Sequence, residues 1–234
     1  MQGLTVLTTF LFTIAIANAL QQPSKLSRRI SFERRAGPLD FLSNIFKESD
    51  ASIASKYQKA ESLKSSLFRV TKGTSNGVKA SQTVRDEVSE IVEELEKLNS
   101  VKVISSSPVM NGNWKLIYTT NDGSSAGRLG AFIGRVDQDI DVSSNRYINY
   151  VRLGGIVQGA LTASWDNLSP KLWRVKFIEV AISVFGIPVT KKSLEGSVGT
   201  WRMTYLDDSI RILYAQGGKN TVVENIYILA KDKF

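Results

Sequence analysis

The sequence predicts a mainly β protein in which an antiparallel barrel or sandwich follows one or two helices. From residue 113 onward, apolar and polar side chains alternate in eight or nine short runs, spaced about ten residues apart. Turn-forming residues separate the runs, as in Asn121-Asp122-Gly123. An apolar period of 3.6 residues occurs before residue 100 and no helical pattern lies between the later runs. Helices are therefore predicted for the first part of the chain and strands for the rest.

Residues 38–110 are assigned to a helical N-terminal region, whose clearest helix follows a break at residues 71–77. Ser81 or Thr83 is the predicted N-cap of this helix. Its apolar stripe consists of Val84, Val88, Ile91, Val92, Leu95 and Leu98. The opposite face is acidic, which favours packing of the stripe on the barrel over docking to a membrane or a partner.

Residues 111–234 are assigned to the barrel. The first strand, 113–120, is introduced by Gly112 and Trp114, which form a Gly-x-Trp sequence. Alternation with one polar face indicates that only one side of the sheet is buried. Eight strands closed into a barrel leave an interior that side chains can fill or that can hold one small ligand.

The inward rows are predicted from the aromatic and apolar positions of three strands. If the barrel contains a cavity, these residues are the candidate ligand-binding side chains: Leu116, Tyr118, Trp173, Val175, Phe177, Trp201, Met203 and Tyr205. An apolar pocket with few polar groups would suit an isoprenoid or acyl ligand. The alternative is that the same residues fill a solid core, and the sequence does not decide between the two.

The residue types present exclude several kinds of chemistry. The chain has no cysteine and no histidine, which excludes disulfides, thiolate nucleophiles and His-dependent triads. No catalytic residue, metal or cofactor is predicted, and we do not expect an enzyme. Asp137, Asp139 and Asp141 share one strand face and are the best carboxylate candidates for catalysis or metal binding. Such a row more often belongs to a solvated strand face.

The net charge of +8 has two parts. Half of it comes from the Arg-rich segment 20–36, and the rest is a mild bias that fits solubility or an anionic membrane surface. A nucleic-acid partner is not predicted, because the strand aromatics alternate onto the face opposite Arg174, Lys176 and Arg202. Stacking of bases would need aromatic and basic groups on the same side.

The first 37 residues are assigned to targeting. Residues 1–19 are predicted to be a signal peptide, because Leu4–Ala17 is apolar and uncharged and Ala17-Asn18-Ala19 matches a cleavage site. An uncleaved anchor is the alternative. Residues 20–37 are rich in Ser and Arg, as organelle transit peptides are. A signal peptide followed by a transit-like segment looks like the bipartite presequence of plastid proteins in algae with secondary plastids. A plastid location is therefore predicted, and secretion is the alternative.

Five segments in order resemble the plastid lipid-associated protein family, also called plastid fibrillins, over about residues 67–230. The first segment, Leu67 to Gly77, contains a Gly-Thr-x-x-Gly motif, and the second, Ile91 to Asn99, contains Leu95-Glu96 and ends at Asn99. The third and fourth are strand motifs, Gly112-x-Trp114-x-Leu116-x-Tyr118-Thr119 and Gly134-x-Val136-x-Gln138-x-Ile140. The fifth runs from Tyr205-Leu-Asp207 through Arg211-Ile212 to Gly217-Gly218. Two departures occur near the end. Residues 213–216 replace a short Arg-Gly turn of the family, and residues 219–224 lengthen the next segment.

The resemblance implies a lipocalin-like antiparallel β-barrel that associates with lipid bodies and thylakoid membranes of plastids. The implied activity is binding or sequestering of apolar plastid lipids such as prenylquinones, carotenoids or acyl lipids. The implied partner is a peripheral membrane or lipid-body (plastoglobule) surface. A structural coat of lipid particles without an internal ligand is one alternative, and an enzyme acting on a plastid lipid is another.

A structural signature is expected at the barrel floor: Gly112, Trp114, Asp207 and Arg211. In lipocalin-like barrels the Gly-x-Trp tryptophan closes the floor and an arginine from a late strand stacks on it, which suggests Trp114 and Arg211 for that pair. Asp207 is expected either to orient Arg211 through a charge-assisted hydrogen bond or to form a hairpin turn.

Overall fold

A computed structural model describes residues 38–217 and 223–231, with side chains from residue 52 onward. The chain divides into two compact units, Met1–Glu48 and Ser49–Phe234. All the strands and all but the first turns of the first helix belong to the second unit. The predicted signal peptide and transit-like segment, residues 1–37, lie outside the described residues.

Two α-helices precede the sheet, α1 at Pro38–Thr71 and α2 at Gln82–Leu98. Ser81 is the N-cap of α2, and its hydroxyl accepts a hydrogen bond from the Val84 backbone N–H at 3.3 Å. Two short 3₁₀ helices follow at Pro108–Met110 and Ser124–Ala126. Within the described part of the chain, neither α-helix combines the length and the apolar character that a membrane span requires.

The rest of the described chain is antiparallel sheet. The strands are β1 Gly112–Thr119, β2 Arg128–Leu129, β3 Phe132–Ile133, β4 Arg135–Asp141, β5 Arg146–Leu153, β6 Val157–Ser169, β7 Leu172–Val184, β8 Ile187–Ser193, β9 Val198–Leu206, β10 Ile210–Gly217 and β11 Asn225–Lys231.

Eight of these strands close into a ring. The order is β1, β4, β5, β6, β7, β9, β10 and β11, and β11 pairs with β1 to complete the barrel. The small β2–β3 hairpin is inserted between β1 and β4, and β8 pairs with β7 alone. The predicted fold, a lipocalin-like antiparallel β-barrel preceded by one or two helices, is therefore confirmed, with two helices present.

The barrel has two apolar clusters, one inside and one outside. The interior cluster contains Trp114, Leu116, Val136, Trp165 and Trp173 among others. The helix-side cluster joins the helices to the outer wall of the barrel, and its members are Leu67, Val88, Ile91, Val92, Leu95, Tyr118, Tyr205, Ile210, Ile212 and Ile228. The stripe of α2 therefore packs on the barrel wall, as its acidic opposite face predicts.

The two ends of the barrel are named here by what closes them. The floor is the end where β1 begins, and the chain between α2 and β1 passes across it with Ile104, Ser105 and Met110 buried. The Ile104 and Ser105 N–H groups both donate to the Pro170 carbonyl, at 2.8 and 2.9 Å. The mouth is the opposite end, where β1 and β10 end and β11 begins. The two long strands, β6 and β7, extend beyond the mouth and carry β8.

Candidate functional site

A cavity of about 260 Å³ lies inside the barrel at the mouth. Its apolar wall consists of Tyr147, Leu161, Phe177, Trp201 and Leu213, with Ala215 and Tyr227 beside them. Its polar lining consists of Asn121, Ser125, Gln138, Asn149, Gln216 and Asn225. The cavity is thus amphipathic, with aromatic and aliphatic groups on one part of its surface and side-chain amides on another.

An aromatic stack connects the cavity to the floor. The Trp201 ring lies 4.8 Å from Tyr147 and 6.1 Å from Trp173, measured between centroids. Trp173 in turn stacks on Trp165 at 4.0 Å. The Trp173 indole N–H donates to the Ser105 carbonyl at 2.9 Å. Because the stack is anchored at the floor, the Trp201 ring presents a fixed wall to the cavity.

Gln138 supplies a buried amide to the cavity. Its position on β4 lies between Val136 and Ile140, which face the interior, so alternation points Gln138 inward. Its Oε1 atom accepts a hydrogen bond from Arg211 Nη2. This bond fixes the orientation of the amide, which leaves its NH₂ group as a donor on the other side.

Asn149 adds an unused acceptor. Its Oδ1 atom is buried and has no hydrogen-bond partner among the described residues. Buried polar atoms in native proteins nearly always have a partner, from the protein or from a bound molecule. A donor and an acceptor amide, from Gln138 and Asn149, therefore line one cavity.

Arg211 places a positive charge beneath the cavity. The side chain is fully buried, and its guanidinium lies 5.3 Å from the centroid of Trp114. Two of its nitrogens, Nε and Nη1, make no hydrogen bond within the described residues. Burial lowers the pKa of Arg211 to about 9, while the nearby Tyr147 acts in the opposite direction. The group remains cationic at neutral pH, so the electrostatic field at the cavity favours electron-rich oxygens.

The predicted ligand-binding residues fall into three places. Phe177 and Trp201 line the cavity. Four others belong to the interior cluster without lining the cavity, namely Leu116, Trp173, Val175 and Met203. Tyr118 and Tyr205 lie in the helix-side cluster, outside the barrel.

The outward position of the two tyrosines has a physical cause in the strand register. An irregularity lies between Leu116 and Tyr118 in the pairing of β1 with β11. Another lies in the pairing of β9 with β10, between the positions opposite Tyr205 and Met203. One extra residue in a strand moves every later side chain to the opposite face. Strict alternation therefore predicted the wrong face for Tyr118 and Tyr205.

Asp207 does not contact Arg211. Its carboxylate accepts hydrogen bonds from the backbone N–H groups of Ser209 and Ile210, at 2.8 and 2.7 Å, and so forms the β9–β10 turn. It also accepts from Lys64 Nζ at 2.8 Å. Burial alone would raise the pKa of Asp207, but these donors together hold it below its ordinary value. Of the two roles considered for Asp207, the turn is the one present.

The signature positions Gly112 and Trp114 are at the floor. Gly112 has a φ of 102°, in the left-handed region that a residue with a Cβ rarely adopts. The Trp114 indole N–H donates to the Met110 carbonyl at 2.8 Å. Lys231 also lies over the Trp114 ring, 4.4 Å from its centroid, so two cations contact this one aromatic group.

The row of three acids is not a uniform solvated face. Asp137 is fully buried and pairs with Arg135 and Arg152, whereas Asp139 and Asp141 are exposed. The expectation of a solvated face was wrong for Asp137, because Arg135 of the same strand and Arg152, which lies opposite Arg135 on β5, both cover its carboxylate. In the part of the chain that the structure describes, no group of three acidic side chains is arranged to hold a metal ion.

Sequence reasoning missed the segment that joins the helices to the mouth. Asn76 donates through its amide to the carbonyls of Ala126 and Gly134, at 2.9 and 3.0 Å. A Cβ on Gly77 would lie 2.2 Å from the Thr119 carbonyl oxygen, so glycine is required there. The Gly-Thr-x-x-Gly segment was treated as a chain break, but it fixes the end of β1 at the cavity rim.

Comparison with known proteins gives consistent matches. The PAP_fibrillin family profile matches residues 61–198. The chain is 34% identical over 128 residues to plastoglobulin-1, chloroplastic, of Pisum sativum, which covers 51% of this chain and 36% of that protein. It is 31% identical over 128 residues to probable plastid-lipid-associated protein 3, chloroplastic, of Oryza sativa subsp. japonica, covering 51% and 34%. It is 29% identical over 160 residues to probable plastid-lipid-associated protein 1, chloroplastic, of Arabidopsis thaliana, covering 63% and 49%.

The chain thus spans between about a third and a half of the length of the curated relatives it matches. The matched region 61–198 contains α2, the Gly-Thr-x-x-Gly segment, the Gly-x-Trp strand and the long β6–β7 pair. Because the family profile matches more than half of the 234 residues, the protein belongs to the PAP_fibrillin family, the plastid lipid-associated proteins or fibrillins.

Proposed function

We propose that this protein is a plastid lipid-associated protein without enzymatic activity, which binds one end of an apolar lipid in the mouth cavity. It would do so at the surface of plastoglobules or thylakoid membranes. The family and the names of the chloroplast relatives support association with plastid lipid. The finer assignment, a bound lipid in the cavity, is supported by the chemistry of the lining.

The amphipathic lining of the cavity is the observation that carries the proposal. Aromatic walls from Trp201 and Phe177 suit an isoprenoid or acyl chain, and amides from Gln138 and Asn149 suit a terminal oxygen group. The volume of about 260 Å³ is slightly below the usual range for sites that enclose a whole ligand. One end of a lipid would therefore occupy the cavity while the rest extends through the mouth.

The polar lining of the cavity favours some candidate lipids over others. A prenylquinone ring or an acyl carbonyl would accept hydrogen bonds from the Gln138 amide and benefit from the charge on Arg211. A hydrocarbon carotenoid would leave the amides without partners, which costs free energy in a buried site. We therefore place prenylquinones and acyl lipids ahead of carotenoids.

Recovery of a bound lipid tests the proposal. The full-length chain would be incubated with a total plastid lipid extract and re-isolated by gel filtration, and mass spectrometry would identify any retained lipid. Near-stoichiometric recovery of one lipid class is expected. Recovery equal to that of an unrelated soluble protein would eliminate the internal ligand and favour a structural coat of lipid particles.

A cavity-filling variant makes this experiment specific. Ala215 lines the cavity, and Ala215→Phe would occupy the space that the lipid end needs. Ala131 is exposed on the β2–β3 hairpin, so Ala131→Phe is the matched control. We expect Ala215→Phe to lose the lipid and Ala131→Phe to retain it. Turnover of the bound lipid, if it appeared in the recovered material, would instead support an enzyme.

The plastid location is part of the proposal. The matched relatives carry chloroplastic in their names, and residues 1–37 have the composition of a bipartite presequence. A fluorescent fusion expressed in an alga with secondary plastids would test it. Signal inside the plastid is expected, and signal in the medium would establish the secreted alternative.

A further inference from the structure

The strands at the mouth include two segments without charged residues, which run from the cavity to beyond the mouth. These segments, called the projection, are residues 154–164 and 180–190, and they contain the first part of β6, the end of β7 and the start of β8. Neither segment has a charged residue, although 22% of the chain is charged. The segments pair with each other, with Val157 opposite Val184 and Leu161 opposite Val180. Charged residues of the neighbouring strands lie opposite part of the projection, with Arg152 opposite Gln158 and Lys192 opposite Val180, so its uncharged surface is concentrated at the turns.

The apolar side chains of the projection are most exposed at its tip. The exposed fractions are 74% for Phe185, 68% for Ile187, 64% for Val189 and 48% for Ile156. Two turns meet at this tip, because the Phe185 N–H donates to the Ile156 carbonyl at 2.8 Å. The tip is therefore one convex apolar surface made of two adjacent turns.

The conformation of Phe185 suggests that its side chain has a role outside the fold. Phe185 and Gly186 have φ values of 50° and 80°, which place both in the left-handed region. Two-residue hairpin turns of this type favour Asn-Gly or Asp-Gly, and a bulky residue at the first position is strained. Strained residues cluster at sites that contact a ligand or a partner. Because the Phe185 side chain is exposed, its packing within the protein does not account for the strain.

We propose that this tip inserts into the surface of a lipid particle or membrane that carries anionic headgroups, with the cavity mouth directed toward that surface. The inference rests on the proposed function and names the part of the molecule that contacts lipid. A convex tip of separate side chains suits hydrocarbon. A stable protein partner usually needs about 1,000 Å² of complementary surface.

The position of the basic residues fits a lipid surface. Lys191 and Lys192 follow the uncharged part of β8 and are exposed. Lys191 forms an ion pair with Glu179 of β7 at 2.7 Å, so Lys192 is the cation that carries the charge argument. Lys191 is four residues from Ile187, which is about 13 Å along a strand. Interfacial apolar groups are buried about 5–10 Å into the boundary of headgroups and chains. Both lysines would therefore lie at the level of the headgroups, where anionic lipids attract Lys192, whereas the charge of Lys191 is balanced by Glu179.

The same strands lead from the tip to the cavity. Leu161 on β6 and Phe177 on β7 line the cavity, and Val157 and Val184 are at the other ends of these strand segments. The distance from Leu161 to Val157 along β6 is about 13 Å. A lipid chain that leaves the cavity would thus follow an uncharged strand pair to the lipid surface.

Vesicle flotation with the full-length chain tests the inference. The vesicles would contain equal parts of phosphatidylcholine and phosphatidylglycerol, or phosphatidylcholine alone. In Phe185→Asn/Ile187→Thr, the first substitution suits the turn and the second suits a strand, so the fold is retained while the apolar tip is lost. We expect about tenfold weaker partitioning of this variant, as expected for the loss of one or two inserted apolar side chains. Lys192→Gln, which leaves the Lys191–Glu179 ion pair in place, should weaken only the preference for phosphatidylglycerol.

The control lies at the other end of the same strand pair. Leu168 is 44% exposed near the floor, and Leu168→Ser should float as the wild-type chain does. Equal flotation of the tip variant and the wild type would overturn the inference, as would a wild-type chain that binds neither vesicle. Loss of self-association by the tip variant, with flotation unchanged, would identify the tip as an interface between copies and reject the lipid assignment.

The lipid-recovery experiment separates this inference from the proposed function. If the chain retains its lipid but its flotation does not depend on the tip, the proposed function is supported and the inference about the tip is rejected. If flotation depends on the tip but no lipid is retained, the inference about the tip is supported and the internal ligand is rejected.

Discussion

The floor and the mouth of this barrel are made by the same eight strands, but the two ends are built differently. At the floor, Trp114, Trp165 and Trp173 are buried and the crossing segment supplies carbonyl acceptors to two of their indoles. At the mouth, the interior contains a cavity of about 260 Å³ with amides in its lining. Within the described residues each end keeps a buried polar atom without a partner, Trp165 Nε1 at the floor and Asn149 Oδ1 at the mouth. The difference is the space: the floor is packed and holds the barrel closed, while the mouth leaves a cavity beside its amides.

The comparison shows how one closed sheet can separate stability from binding. A sheet without free edges keeps its strands in register even where the interior is not filled. Tight packing at one end then permits a void at the other, since the free energy lost around a cavity is offset by the packed floor. Substitutions at the floor should therefore change stability, and substitutions at the mouth should change binding.

The largest expected effect is at the floor. Trp173→Ala should lower the free energy of unfolding by about 3–5 kcal/mol, because it removes a fully buried ring from the aromatic stack. Phe177→Ala at the mouth should cost about 1–2 kcal/mol, because this ring already borders a cavity. Urea unfolding of both variants measures the difference. Equal losses would mean that the two ends do not differ in packing.

The second prediction concerns the boundary between the two ends, where Gln138 holds Arg211. Gln138→Leu should cost about 2–3 kcal/mol, because it removes the hydrogen bond that the buried guanidinium makes to Gln138. Arg211→Met should cost less, about 1 kcal/mol or below, because an apolar side chain of similar length replaces a buried cation. Urea unfolding again gives both values. The reverse order would show that the guanidinium has another partner and that its charge is not available to a ligand.

How far the sequence predicts this structure differs between the wall and the cavity. Alternating residues such as Trp173, Val175 and Phe177 were enough to predict strands, and resemblance predicted their closure into a lipocalin-like barrel. The two register irregularities were not predictable, because an extra residue in a strand leaves its composition unchanged. Tyr118 and Tyr205 were therefore placed on the wrong face.

The polar part of the cavity lining could be predicted from the sequence only in part. Gln138 lies between Val136 and Ile140, so the inward row itself shows a polar residue in a buried position, which is a recognisable signal. The burial of Asp137 could not be predicted from the alternation of residues along its strand. It depends on Arg152 of β5, which lies opposite Arg135 of β4, and only the register of the two strands brings Arg152 to Asp137.

A third prediction uses pH to test how the helix is held to the floor. Asp207 has a pKa below its ordinary value of 3.8, so its carboxylate stabilises the fold above that pH and the stabilisation is lost as pH falls through the lower, folded-state pKa. The wild type should therefore lose more stability than Asp207→Asn does between pH 7 and pH 3, and the difference should develop below about pH 4, where the unfolded carboxyl is protonated before the folded one. Urea unfolding at the two pH values measures this. Parallel losses would mean that the Lys64–Asp207 pair does not stabilise the floor.

The smallest expected effect is at the tip beyond the mouth, and its sign is opposite to the others. Phe185→Asn should raise the free energy of unfolding by about 0.5 kcal/mol, because asparagine tolerates the left-handed conformation that Phe185 adopts at φ 50°. Few contacts are lost, since the ring is 74% exposed. Thermal unfolding detects the gain as a higher midpoint than that of the wild type. A variant that is more stable in water but binds vesicles less would show that the mouth end keeps a strained residue for contact with lipid, and a loss of stability would show that the Phe185 ring packs within the protein.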